Sequence, residues 1–438
     1  VNPNSSFSFF TKRRFLPLFC TQFLGAFNDN LLKTAIVVLI TYHGLTLNEM
    51  QASLFVTLSS AVFILPYFLF SATAGKMSER FDKARVAQWV KLAEIAIMLL
   101  AGAGFFLHSG ELLIAALFCM GTHSAFFGPL KYSVLPQYLG EHELVGGNGF
   151  IEMGTFLAIL IGQIGGSLMV GGGPWAMAGF TFITAVLGLM ASRMMPPAHP
   201  TSPHLKFSAN VWRDSVSLMR EAWRQREVRS AMLGISWFWL MGSVYTTQLP
   251  TFTRMHLGGD ANVYTLGLAL FSIGIGVGSV VCAKLSRGEL ELALVLVGGA
   301  GMTLFGADLG LSALKHYQGD PIGLAEFLAS PAHWRHILDT ALLGFFGGFF
   351  TVPLYTWLQI ASPAEFRSQA VAANNILNGF YMVSAALVSG VLLKLFNNVA
   401  SLFVTVALAN VLAMLHLLLT SPTLRTANSS WWRRRGWR

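Results

Sequence analysis

Charge is the first thing this sequence is short of. Only 11% of its 438 residues are Asp, Glu, Lys or Arg, against about 25% in an ordinary soluble protein. With 54% hydrophobic residues and a mean hydropathy of +0.58, a water-soluble globule is excluded. Cysteine is scarce too. Cys20, Cys119 and Cys282 lie far apart in apolar runs, so neither a disulfide framework nor a thiolate metal site is indicated. Catalytic signatures are also missing. No histidine has an aspartate five residues on, the pattern a membrane acyltransferase would need; His256 and Asp260, for example, are four apart. There is no Ser-centred nucleophile elbow. A phosphate-binding loop ending at Gly75-Lys76 would need Gly where Phe70 stands and Ser or Thr where Met77 stands. The chain therefore reads as not an enzyme, with no cofactor and no metal. Residues 15–42 are too long, and too polar in the middle, for a secretory signal.

What the chain has instead is long apolar runs. A β-barrel would show short alternating segments, whereas here about 20 residues at a time are long enough to cross the hydrocarbon layer as helix. The pattern predicts an all-α membrane protein with twelve spans, near 15–42, 50–75, 84–107, 112–138, 147–170, 174–193, 229–256, 262–284, 290–309, 337–360, 366–394 and 399–420. The net charge of +9 comes from Lys and Arg between spans: residues 12–14, 76–85, 193–229, 284–287 and 433–438. The alternate connections, such as YHGLTLNEM, LHSGE and GGGPW, have no Lys or Arg. Bases on one side mark the cytoplasm, so both termini and the middle loop are expected there, and nucleic acid is not a partner.

The middle loop divides the chain into a six-helix half (1–193), a linker (194–228), a second six-helix half (229–420) and a basic tail (421–438). In the linker Trp212, Val216, Met219 and Trp223 recur at helical spacing beside Arg213, Asp214, Arg220 and Arg224. This pattern predicts an amphipathic helix on the membrane surface. The tail WWRRRGWR reads as a surface anchor or as the link to a further domain. The halves resemble each other: FFGPLKYSVLPQ answers FFTVPLYTWLQ, and GGNGFIEMG answers AANNILNGF. Two six-helix repeats related along the membrane normal are a transporter plan, working by rocking of the halves.

The first span carries Asn28, Asp29, Asn30 and Lys33 in its middle. Ionisable groups at that depth are costly and face a protein interior or a wet cavity. Asp29 and Lys33, four apart, either neutralise each other or line a substrate path; the flanking asparagines favour the path. Lys131 follows the Gly128-Pro129 kink in span four, on a face with His123 and Phe127. It either snorkels outward or offers a cation to an anionic group. Glu152 in span five is at similar depth and either pairs with Lys131 or meets substrate. Gln163, Gln248, Tyr355, Asn374 and Asn378 add polar atoms in spans five, seven, ten and eleven. Most such groups are interhelical hydrogen bonds, at roughly 0.6 kcal/mol each.

Between spans two and three, Gly75-Lys-Met-Ser-Glu79-Arg80-Phe-Asp82-Lys83-Ala-Arg85 resembles the Gly-x-x-x-Asp-Arg-x-Gly-Arg-Lys signature of the major facilitator superfamily. Glu79 stands for the family Asp, and Asp82 for its second Gly. The physics survives the changes: Gly75 admits a close neighbour, Glu79 can accept from a helix N-terminus, and Arg80 and Lys83 can pair at a gate. FLGAFNDNLLK, GPLKYSVLP, NGFIEMGTFLAILIG and GGFFTVPLYTWLQ together resemble the bacterial lysophospholipid transporter family, over most of the chain. The resemblance implies movement of lysophosphatidylethanolamine from the outer to the inner leaflet of the bacterial inner membrane for reacylation. It also implies a fused or separate acyltransferase and acyl-carrier-protein synthetase as partners, and it matches Asp29 and Lys131 to charged positions of the family motifs. The cation expected in span seven is absent, with Tyr245-Thr-Thr-Gln248 in its place. The alternative function is a proton-coupled carrier of a small molecule, with Asp29 as the proton carrier.

Overall fold

The computed structural model describes residues 7–208 and 210–427. The arginines expected to close the basic tail lie outside the described residues. The helices are α1 (Leu16–Tyr42), α2 (Ala52–Arg80), α3 (Lys83–Leu107), α4 (Gly110–Tyr138), α5 (Leu144–Val170), α6 (Gly173–Arg193), α7 (Val211–Arg224), α8 (Arg226–His256), α9 (Ala261–Ser286), α10 (Ala293–Leu311), α11 (Leu324–Ala329), α12 (Pro331–Ala361), α13 (Arg367–Phe396) and α14 (Val399–Thr420). The described residues hold no strand; Gly259 and Ile322 form an isolated bridge that ties the long 311–335 connection to the start of α9.

Among the described residues, eleven helices are long and apolar enough to cross a membrane. α8 is long enough, at 31 residues, but its run WFWLMGSVYTTQLP carries hydroxyls, an amide and indoles, and Arg226, Glu227, Arg229 and Arg254 lie toward its ends. Its packing makes it the twelfth. Helix starts follow local chemistry. Asp82 caps α3, accepting from Ala84 N at 2.8 Å and Arg85 N at 3.2 Å, so an acid where the facilitator signature has Gly closes the α2–α3 turn. Asp260 does the same for α9 through Asn262 N and Val263 N.

The chain forms two compact units. The first holds residues 1–147, 157–224 and 362–379, and so includes the start of α13. Within it α2 packs on α4, α3 on both α4 and α6, and α1 on α6, around a core that includes Leu32, Ile36, Met98, Phe105, Leu117 and Met120. The second holds 148–156, 225–361 and 380–438, and so includes two and a half turns of α5. Within it α9 packs on α12, α10 on both α12 and α14, and α8 on α14. The neighbour pattern is the same in both, with α8, α9, α10, α12 and α14 in the places of α1, α2, α3, α4 and α6. The internal repeat read from short strings is thus a repeat of packing.

α7 belongs to the first unit and lies on α2. Lys76 Nζ bonds Asp214 Oδ2 at 2.6 Å, and Ser215 Oγ donates to Phe68 O at 3.3 Å. The face turned to protein is Ser215, Leu218 and Ala222; Trp212, Val216 and Trp223 are exposed.

Candidate functional site

The polar turn of α1 sends successive side chains about 100° apart around the helix, and each meets something different. Asn28, fully buried, donates from Nδ2 to Glu94 Oε1 at 2.7 Å and to Thr181 O at 3.1 Å. Asn30 turns back on its own helix, to Ala26 O at 2.8 Å. Asp29 accepts from Ser124 Oγ at 2.6 Å through Oδ2; its Oδ1 is buried without a hydrogen-bond partner among the described residues. Lys33 Nζ sits over the Phe63 ring, 5.0 Å from its centre. No ion pair within 4.0 Å joins Asp29 to any cation among the described residues, so the self-neutralising Asp29–Lys33 pair does not form at that distance.

A fully buried ion pair lies nearby, in residues that sequence reasoning missed. Lys91 and Glu94 of α3 are both fully buried and 2.7 Å apart. His123 Nε2 of α4 lies 3.0 Å from the same Glu94 oxygen. Lys91 Nζ also faces the Phe127 ring at 5.5 Å, and Phe127 stacks on His123. Glu94 is thereby surrounded by an ammonium, an imidazole and an amide, a set that satisfies a buried carboxylate. The signal was there: a base and an acid three apart inside VAQWVKLAEIAIM. It hid because it follows a basic loop and reads as that loop's fringe.

The other candidates scatter over both units. In the first, Lys131 is half-buried, its Nζ 4.7 Å from the Tyr132 ring centre. Gln163 and Asn378 are half-buried. Asn374 is fully buried, and neither amide atom has a hydrogen-bond partner among the described residues. In the second unit Glu152 is fully buried and Gln248 half-buried. Tyr355 OH accepts from Trp239 Nε1 at 3.1 Å, and Trp239 stacks on Phe156. Asn148 and Gln359 exchange two amide bonds, at 2.7 and 3.0 Å. No group of His, Cys, Asp and Glu among the described residues is arranged to hold a metal.

The description Major Facilitator Superfamily matches residues 18–316, more than half of the chain. The chain belongs to this family. Similar facilitators include the Lysophospholipid transporter LplT of Serratia proteamaculans (strain 568), 26% identical over 375 residues and 83% of each chain. The Lysophospholipid transporter LplT of Klebsiella pneumoniae (strain 342) is 27% identical over 374 residues, again 83% of each. Among solved structures, the human organic anion transporter MFSD10 has a TM-score of 0.75 at 14% identity, covering 93% of this chain and 99% of its own. A variant of the Escherichia coli fucose:proton symporter FucP has 0.67 at 14%, covering 93% and 98%. At these identities the solved structures speak for the fold: a twelve-helix, multi-pass facilitator.

The facilitator signature has its own geometry in the first unit. Glu79 is fully buried. Its Oε1 accepts from Ser368 N, in the first turn of α13, at 2.5 Å, and its carboxylate also accepts from Thr201 Oγ1. Its carbonyl takes the Thr201 and Ser202 amides at 3.0 and 2.9 Å. Lys83 Nζ stands 4.0 Å from Glu79. Arg80 instead donates to Leu205 O at 3.0 Å and lies over the Phe207 ring. Gly75 lets α13 come close: a Cβ there would stand 2.9 Å from Ala372 Cβ and 3.1 Å from Gln369 Cα. Ser133 and Ser368 hydroxyls bond at 2.8 Å beside it.

Proposed function

We propose that this facilitator flips lysophospholipids, lysophosphatidylethanolamine above all, from the outer to the inner leaflet of a bacterial inner membrane, by alternating access of its two bundles. The observation that carries this reading is similarity to proteins named lysophospholipid transporters across 83% of both chains, with a carboxylate in the first span to meet the cargo. Among the described residues Asp29 holds one oxygen without a hydrogen-bond partner, and Lys33 nearby lies over the Phe63 ring. A lysoethanolamine lipid brings an ammonium for Asp29 and a phosphate for Lys131 or Lys33, each contact strengthened by the low dielectric. Glu152, Gln163, Gln248, Tyr355, Asn374 and Asn378 would border the rest of the path. Gly75, Glu79, Arg80 and Lys83 would govern its closing on the cytoplasmic side, where both termini lie. The product is a substrate for an acyltransferase in the same membrane, fused or separate.

The test is conversion of labelled lysophosphatidylethanolamine supplied to spheroplasts, with and without the protein and with an ionophore arm. Protein-dependent conversion that ionophores leave unchanged supports the reading. Proton flux with a water-soluble substrate, and no lysolipid movement, favours the proton-coupled carrier instead.

A further inference from the structure

We propose that Lys91, Glu94 and His123 form a rotational key that fixes the setting of α1 through Asn28, and so aims Asp29 at the cargo's ammonium. They are positioning residues, and the inference rests on the functional reading above. A helix in a bundle can turn about its own axis unless a directional contact stops it. Apolar packing can repack into a second setting at modest cost; a buried polar contact with one satisfactory geometry discriminates more sharply between settings. Asn28 is such a contact, tied at once to α3 through Glu94 and to α6 through Thr181 O. Asp29 is the next residue, about 100° round, and meets α4 at Ser124. A turn of α1 that broke the Asn28 bond would swing Asp29 off Ser124. Lys91 keeps Glu94 an acceptor, and α1 makes room for it: a Cβ on Gly25 would stand 2.7 Å from Lys91 Nζ.

The second unit supports this. Its three corresponding helices, α8, α10 and α14, are tied by one buried amide. Asn410 accepts from Trp237 Nε1 at 2.8 Å and donates to Gly299 O at 2.8 Å and to Thr303 Oγ1 at 2.9 Å. The same three positions are keyed in both bundles, by a neutral network in one and a charged one in the bundle that carries Asp29.

The test compares uptake of lysophosphatidylethanolamine with that of lysophosphatidylglycerol, which lacks an amine, in reconstituted vesicles. Asn28→Leu and the double change Lys91→Met/Glu94→Leu remove opposite ends of the key without leaving an unpaired charge; either suffices. Each is expected to lower the ethanolamine-to-glycerol uptake ratio about tenfold, the worth of one hydrogen bond to a charged group. The effect should appear in half-saturation rather than in maximal rate, and the triple variant should be no worse than either. Equal loss for both lipids makes the cluster structural only and overturns the proposal, as does an unchanged ratio. A wild-type protein that moves neither lipid overturns the functional reading itself, and the key with it.

Discussion

Lys91 and Glu94 meet at 2.7 Å with neither side chain reaching the surface of the protein, while Asp29 and Lys33, nearby, form no such pair. The two sets of charges predict different responses to mutation. Breaking Lys91–Glu94 from one side strands a buried charge. Lys91→Ala should cost about 3–5 kcal/mol, whereas Lys91→Met/Glu94→Leu should recover most of it. Thermal unfolding in detergent measures both.

Asp29→Asn keeps an acceptor for Ser124 Oγ and breaks no ion pair among the described residues, yet should lower lysophosphatidylethanolamine uptake at least about tenfold. Ser124→Ala removes the hydrogen bond to Asp29 Oδ2 and should cost roughly fivefold, about 1 kcal/mol. Initial uptake rates normalised to protein abundance decide both.

The hydroxyls of Ser133 and Ser368 touch at 2.8 Å. With Cys20, Cys119 and Cys282 replaced, Ser133→Cys/Ser368→Cys should oxidise readily, since side chains in contact are within reach of a disulfide. If α4 and the start of α13 part during transport, oxidation stops uptake and a reductant restores it. Uptake that survives a complete cross-link would show that they stay together.

Gly75→Leu should lower abundance or uptake strongly, because its Cβ meets the α13 backbone at Gln369 and Ser368 as well as the Ala372 methyl group, and backbone does not yield as a side-chain tip does. Gly75→Ala isolates the methyl group. Blotting and uptake together separate misfolding from impaired cycling.

Much of this architecture was legible because the bilayer imposes one rule on every span: some 20 apolar residues in a helix. α8 was readable from length and place although its hydroxyls and indoles weaken the apolar signal. Asp29 stood out because it interrupts a span at mid-depth. Lys91 and Glu94 did not, because they follow the basic loop that ends at Arg85 and their closure through Asn28 and His123 joins residues from three helices. No spacing within one helix reports that. The side of α7 that meets α2 went unread for a related reason. Its buried side is chosen by small residues, Ser215 and Ala222 with Leu218, that fit against α2, whereas sequence periodicity weights Trp212 and Trp223.

The account rests most directly on Asp29 meeting a lysolipid, and one comparison tests it: transbilayer movement of labelled lysophosphatidylethanolamine in vesicles holding equal amounts of wild-type protein, Asp29→Asn or Asp29→Glu. The account predicts rapid movement with the wild type, a partial rate with Glu and a rate near that of protein-free vesicles with Asn. Equal rates for wild type and Asp29→Asn would contradict it.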